Sequence, residues 1–178
     1  MSARYAGALR SLDVTQGDRV LVQVDKSPHA LLLYLATLRI GAIFVPLNTA
    51  YTPTEVAYFL GDARPRLFVA RPETEDDLCQ IAHDAGATLL TFDTEGEGSL
   101  ADAMTNAEPV EEIASTDAND IASIIYTSGT TGRSKGAMLS HDNLASNALT
   151  LIDLWGFRET DVLLHALPIY HVHGLFVA

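Results

Sequence analysis

The stretch "YTSGTTGRSKG", residues 126–136, crowds hydroxyls, glycines and two cations into eleven positions. Thr127, Ser128, Thr130 and Thr131 supply hydroxyl donors. Gly129 and Gly132 permit positive φ and let backbone N–H groups close on a ligand. Lys135 adds a compact point charge suited to phosphate oxygens, and a hydrogen bond with an ionised partner is about twice as strong as a neutral one. Between Pro72 and Phe157 the only basic residues are Arg133 and Lys135, in a chain of formal net charge −12. That isolation points to a grip on a polyanion. A plain turn between two strands also uses Gly, Ser and Thr, so composition alone leaves both readings open. The string is not a G-x-x-x-x-G-K-[ST] loop, no G-x-G-x-x-G follows a strand, and no serine-hydrolase elbow is expected.

A second cluster lies in "LPIYHVHGLF", where His171 and His173 stand at i, i+2 with His165 nearby. An extended "HVH" would set both rings on one side of the chain. Zinc takes three or four ligands, and this region offers no cysteine and no well-placed third residue. On residue pattern alone, His171 reads as a core histidine capping the turn after Pro168. Cys79 sits in the helical pattern "DDLCQIAHDAGA" as a packed or half-exposed thiol, with no basic neighbour to activate it. As the only cysteine it excludes an internal disulfide and fits a reducing compartment.

A strand–helix alternation must position these groups. Strands are expected at 19–24, 42–47, 66–70, 88–92 and 120–126, a short extended piece at 136–139, and a last strand at 161–167. Helices are expected at 28–40, stopped by Gly41, and from Pro53, where Thr52 and Glu55 form a capping box. Further helices are expected at 73–85, 99–107 and, capped by Ser140, at 141–155. In the last of these Leu144, Ala148, Leu151, Ile152 and Trp155 fall at helical spacing. Sparsely charged strands alternating with helices predict an α/β fold, a mostly parallel sheet with helices on both faces.

Length and composition bound the rest. At 178 residues, 48% hydrophobic and 19% charged, the chain fills one domain or part of one and can bury a core. Its acid excess argues against nucleic-acid partners, whose phosphates it would repel. Fourteen of the 23 Asp and Glu fall between Glu73 and Asp120, and residues 93–120 read as a solvated acidic excursion. The run "ALLLYLATL" is too short to span a bilayer, and "MSARYAGALRSL" has no apolar signal core, which predicts a soluble, cytoplasmic protein. The apolar "LFVA" at the end and the helix-like "YAGALRSL" at the start predict a piece of something longer.

"YTSGTTGRSKGAMLSHDNL" resembles the phosphate-loop signature of adenylate-forming enzymes, the superfamily of acyl- and aryl-CoA ligases, luciferases and peptide-synthetase adenylation domains. "LATLRIGAIFVPLNTAYTPTEVAYFLGDARPRLFV" looks like the family's upstream core segment, and "LPIYHVHGL" like its downstream histidine segment. The three occur in the family's order, so the resemblance covers essentially the whole chain. Ser134 departs from it by standing where the commonest family loop has proline, a change that costs loop rigidity and no ligand contact. "RSKGAMLSHDNLAS" with "LLHALPIYHVHGLFVA" is most similar to malonyl-CoA synthetases.

The resemblance implies residues 1–178 as a partial N-terminal AMP-binding domain of an ATP-dependent acid–CoA ligase, with malonate the favoured acid. Such an enzyme joins a carboxylate to ATP, releases pyrophosphate, and passes the acyl group to coenzyme A. By position, Thr127, Ser128, Gly129, Thr130, Thr131, Gly132 and Lys135 would hold the β- and γ-phosphates. The Thr127 hydroxyl would approach Mg²⁺, and Arg133 would add secondary electrostatics. Under the resemblance His171 moves from core to pocket, donating a hydrogen bond to the carboxylate or acyl oxygen. The adenine-contacting motif, the ribose-binding aspartate, the hinge and a late catalytic lysine would belong to a missing C-terminal portion. Alone the chain is then expected to be inactive. Ligases for fatty, aryl or methylmalonate acids, carrier-protein adenylation domains, and a non-catalytic nucleotide-binding or interaction fragment are the alternatives.

Overall fold

A computed structural model describes residues 1–127 and 133–177. In chain order it has α1 (Ser2–Ser11), β1 (Arg19–Gln23), α2 (Pro28–Arg39), β2 (Ile43–Pro46), α3 (Pro53–Ala63) and β3 (Leu67–Ala70). There follow α4 (Glu75–Asp84), β4 (Thr88–Thr91), α5 (Ser99–Asn106), β5 (Ile121–Thr127), β6 (Lys135–Ser140) and α6 (His141–Trp155). A 3₁₀ turn at Pro72–Thr74 precedes α4, and a π-helical turn spans His173–Val177.

Local chemistry sets the helix ends. Ser27 accepts the Ala30 N–H at 3.1 Å and Pro28 supplies a preset φ, so α2 starts there. At its other end Gly41 adopts φ +73°, its N–H reaching the Leu38 carbonyl while the Ala42 N–H reaches Thr37. That paired closure needs a left-handed residue, which glycine supplies without a Cβ clash.

The strands lie in the order β4-β3-β1-β2-β5-β6, parallel except for the antiparallel β5–β6 pair. Alternate side chains build two cores. Val20, Val22, Phe44, Leu67 and Val69 meet α1, α2 and α5 on one face. Leu21, Val45, Phe68 and Ala70 meet α3 and α4 on the other. The predicted mostly parallel sheet with helices on both faces is the fold observed. Where β2 hands over to β5, the buried Ser123 hydroxyl donates to the Phe44 carbonyl at 2.7 Å.

The acidic excursion keeps its carboxylates outward but is more than a solvated loop. Leu100 is buried, and Ala101, Met104 and Val110 pack on the first core. Backbone bonds from Val110 to the Ala3 carbonyl and from Ala114 to Arg39 stitch it to α1 and α2. The apolar side chains scattered among the acids account for this.

Three expectations need correction. Residues 161–167 pair with no strand among the described residues, because a strand needs a neighbouring edge and none reaches them. "HVH" is not extended: the His171 N–H turns back to the Pro168 carbonyl at 3.4 Å, and His173 begins the last helical turn. Cys79 is exposed, its thiol donating to the Asp76 carbonyl at 3.5 Å. Helix α6 forms with the expected Ser140 cap, although none of its residues is buried among those described. No helix is long and apolar enough to cross a membrane among the described residues.

Candidate functional site

In a wound parallel sheet, ligands collect at the carboxyl ends of the strands where the order reverses. Here the order reverses beside β1, between it and β3, and the cavity of this protein sits farther along the sheet. A cavity of about 490 Å³ opens past the ends of β2 and β5. Tyr51 follows β2, Tyr126 and Thr127 end β5, and Leu167, His171 and Gly174 close the far wall.

The β5–β6 hairpin places the loop. Thr127 and Lys135 are directly paired across the ladder, so they mark its two ends. Residues opposite one another on an antiparallel ladder project from the same face. Thr127 is exposed, and its hydroxyl makes a long contact, 3.5 Å, to the Lys135 carbonyl. Lys135 is exposed as well. Ser128, Gly129, Thr130, Thr131 and Gly132, the other expected phosphate ligands, lie outside the described residues.

Helix α3 supports this hairpin. The Tyr126 hydroxyl donates to Asp62 Oδ2 at 2.6 Å, and the Tyr58 hydroxyl donates to the Ser134 carbonyl at 2.8 Å. Burial, reinforced by the Asp62 carboxylate that holds its proton, pushes the Tyr126 hydroxyl well above the usual tyrosine range. Between them the buried Phe59 ring stands 4.5 Å from that of Tyr126 and 5.4 Å from that of Tyr58.

His171 is exposed and lines the cavity, so the core-histidine reading falls. Its ring lies 4.7 Å from that of Tyr170. His165 points elsewhere, its Nε2 donating to the Gly174 carbonyl at 2.7 Å. Gly174 could not carry a side chain, since a Cβ would run into the Pro168 carbonyl. No three His, Cys, Asp or Glu side chains gather to hold a metal ion among the described residues.

Two features escaped the sequence reading. Lys26, just past β1, donates to the carbonyls of His165 at 2.6 Å and Leu167 at 3.1 Å, tying the histidine segment to the sheet. Nothing in "VDKSPH" marked it, because both acceptors are far along the chain. Residues 132–136, "GRSKG", spell G-x-S-x-G, a string the sequence reading passed over, although the expectation of no hydrolase elbow stands. A nucleophile elbow turns from strand to helix, whereas Ser134 leads into strand β6, so the required context is missing.

Comparison with known proteins agrees with this geometry. Residues 1–178 match the family described as AMP-binding enzyme. The chain is 38% identical over 135 residues to the mitochondrial malonate–CoA ligase ACSF3 of Mus musculus, covering 76% of this chain and 23% of that protein. It is 33% identical over 184 residues to 4-coumarate–CoA ligase 5 of Oryza sativa subsp. japonica, covering 98% of this chain and 33% of that one. The crystal structure of ATP-bound MatB from Rhodopseudomonas palustris superposes with a TM-score of 0.95 at 54% identity, covering 99% of this chain and 35% of MatB. The chain thus spans about a third or less of the length of these three relatives. With a family match along its whole length, the chain belongs to the AMP-binding enzyme family.

Proposed function

We propose that the chain is the N-terminal part of the AMP-binding domain of an ATP-dependent acid–CoA ligase, and that its acid is malonate. The likeness to ATP-bound MatB at 54% identity over 99% of the chain carries the nucleotide reading. The likeness to malonate–CoA ligase favours the acid. The geometry supports the nucleotide reading, since it brings Thr127 and His171 to one cavity and sets Lys135 opposite Thr127.

In this reading the carboxylate attacks the α-phosphorus in line, and charge accumulates on the departing pyrophosphate. Lys135, with hydroxyls and backbone N–H groups of the loop from Thr127 to Gly132, holds the β- and γ-oxygens and neutralises that charge. His171 donates a hydrogen bond to the carboxylate and orients it. The Thr127 hydroxyl suits Mg²⁺ that keeps most of its waters and takes few protein ligands, and the ion would add positive charge beside the phosphates. The coenzyme A thiol would then attack the acyl carbonyl, forming the thioester as the acyl–phosphate bond breaks and AMP leaves, with residues outside this chain completing the site.

A carboxylate-dependent ATP–pyrophosphate exchange assay on the full-length enzyme tests the reading, with malonate, methylmalonate, octanoate, benzoate and 4-coumarate as acids. Malonate should give the highest kcat/KM. Preference for octanoate or benzoate would overturn the malonate assignment, and preference for 4-coumarate would favour the second reading, an aryl-acid ligase, which the likeness to 4-coumarate–CoA ligase supports. Exchange with none of them would overturn the ligase itself. Replacing Lys135 by alanine should slow exchange about 10²–10³-fold, the usual cost of losing one donor to developing charge, without altering the fold.

A further inference from the structure

We infer that α3 is the jig that aligns the phosphate loop, with Tyr58 and Asp62 as positioning residues for Lys135. The loop has two ends, and each is tied to this one helix. On the incoming side the last residue before Thr127 is Tyr126, whose hydroxyl is bonded to Asp62 at 2.6 Å. On the outgoing side the residue before Lys135 is Ser134, whose carbonyl accepts from Tyr58 at 2.8 Å.

Tyr58 and Asp62 stand at i, i+4, neighbours on one helical face, so the two ties share a rigid spacing. The helix is itself anchored. Thr52 and Glu55 exchange hydrogen bonds at its start, and Val56, Phe59, Leu60 and Ala63 are buried along its length.

The Ser134 carbonyl and the Lys135 N–H belong to one planar peptide unit. Fixing that carbonyl therefore fixes the plane from which the Lys135 side chain departs. A proline at 134 would restrict the loop from within by locking φ. Serine leaves φ free, and the Tyr58 bond restrains the same peptide from outside. This inference rests on the phosphate-loop reading above for its catalytic consequence, but not for its geometry.

The test uses full-length Tyr58→Phe, Asp62→Ala and Asp62→Asn proteins with two readouts. Arg133 and Lys135 are the only Lys or Arg between Arg71 and Arg158, so tryptic cleavage there is identified by fragment mass. Loss of one hydrogen bond should speed cleavage after Arg133 and Lys135 about three- to tenfold in Tyr58→Phe and Asp62→Ala. Asp62→Asn, which keeps an acceptor oxygen, should be cleaved more slowly than Asp62→Ala. In pyrophosphate exchange, well below the melting temperature, Tyr58→Phe should lower kcat about three- to tenfold with KM for the carboxylate unchanged.

Cleavage of Tyr58→Phe at the parent rate would overturn the inference whatever the exchange assay shows. Faster cleavage with unaltered kcat would overturn the positioning of Lys135 and leave a merely structural tie. Faster cleavage in an enzyme whose parent exchanges with no acid would uphold the tie and count against the ligase reading instead.

Discussion

Helices α3 and α6 both start with a capping side chain and a residue three positions on exchanging hydrogen bonds, Thr52 with Glu55 and Ser140 with Asn143. Along α3, Val56, Phe59, Leu60 and Ala63 are buried. Along α6 no apolar residue is buried: Leu144 and Leu151 are half-buried, while Ile152, Leu154 and Trp155 are exposed. Both helices start where their caps announce them, so the local code marks where a helix begins without reference to what will cover it. Burial is a tertiary property. Here it separates the helix that holds the candidate site together from one whose apolar face meets no core in a chain about a third of its relatives' length.

That contrast can be strained by mutation. The largest effect should come from Phe59→Ala, which empties the centre of the second core between Tyr51, Tyr58 and Tyr126. Removing a buried phenylalanine costs about 3–5 kcal/mol, read as a fall in the urea midpoint. A midpoint near the parent value would mean that α3 is not the anchor described.

Alkaline titration comes next, and its sign follows from the tyrosines. Tyr126 is held protonated by burial and by Asp62, and burial pushes Tyr34 up to about 12. Above the ordinary tyrosine value of about 10, the unfolded chain has released protons that the folded chain keeps. Stability is therefore intact below about pH 10 and declines as pH rises through the folded values. Tyr126→Phe should make this decline shallower. An unchanged slope in urea melts between pH 9 and 11 would contradict the part-buried Tyr126–Asp62 bond.

The caps should differ by location. Thr52→Ala should lower global stability by about 1 kcal/mol, whereas Ser140→Ala should reduce the helical circular-dichroism signal and leave the unfolding midpoint in place. The smallest effect is expected from Leu154→Ser, within about 0.5 kcal/mol as for other exposed sites. A larger loss would show that the α6 face is covered in the protein tested.

Much of this was legible in the residues because the signals were local. Ser27–Pro28, Thr52–Pro53–Glu55 and Ser140 announce helix starts by chemistry confined to four positions, and alternating apolar runs announce the strands. The loop was legible for the same reason, since "YTSGTTGRSKG" concentrates its donors and charge in one string. The contacts that escaped depended on distant partners. The tie of Tyr58 to Ser134 and the hold of Lys26 on His165 join residues far apart in sequence. The supposed strand at 161–167 failed because its pattern specifies a preference, while pairing requires an edge supplied elsewhere. His171 was legible as a pocket residue only through the resemblance. Its own surroundings in sequence suggested a core.

The central claim is that the bend between Thr127 and Lys135 grips the triphosphate of a nucleotide. A crystal structure of the full-length protein with ATP and magnesium tests it most directly. The account predicts the β- and γ-phosphates within hydrogen-bonding distance of the Lys135 ammonium and the loop N–H groups, with the adenylate end directed to the cavity holding His171. A triphosphate bound elsewhere, with Lys135 turned to solvent, would contradict it.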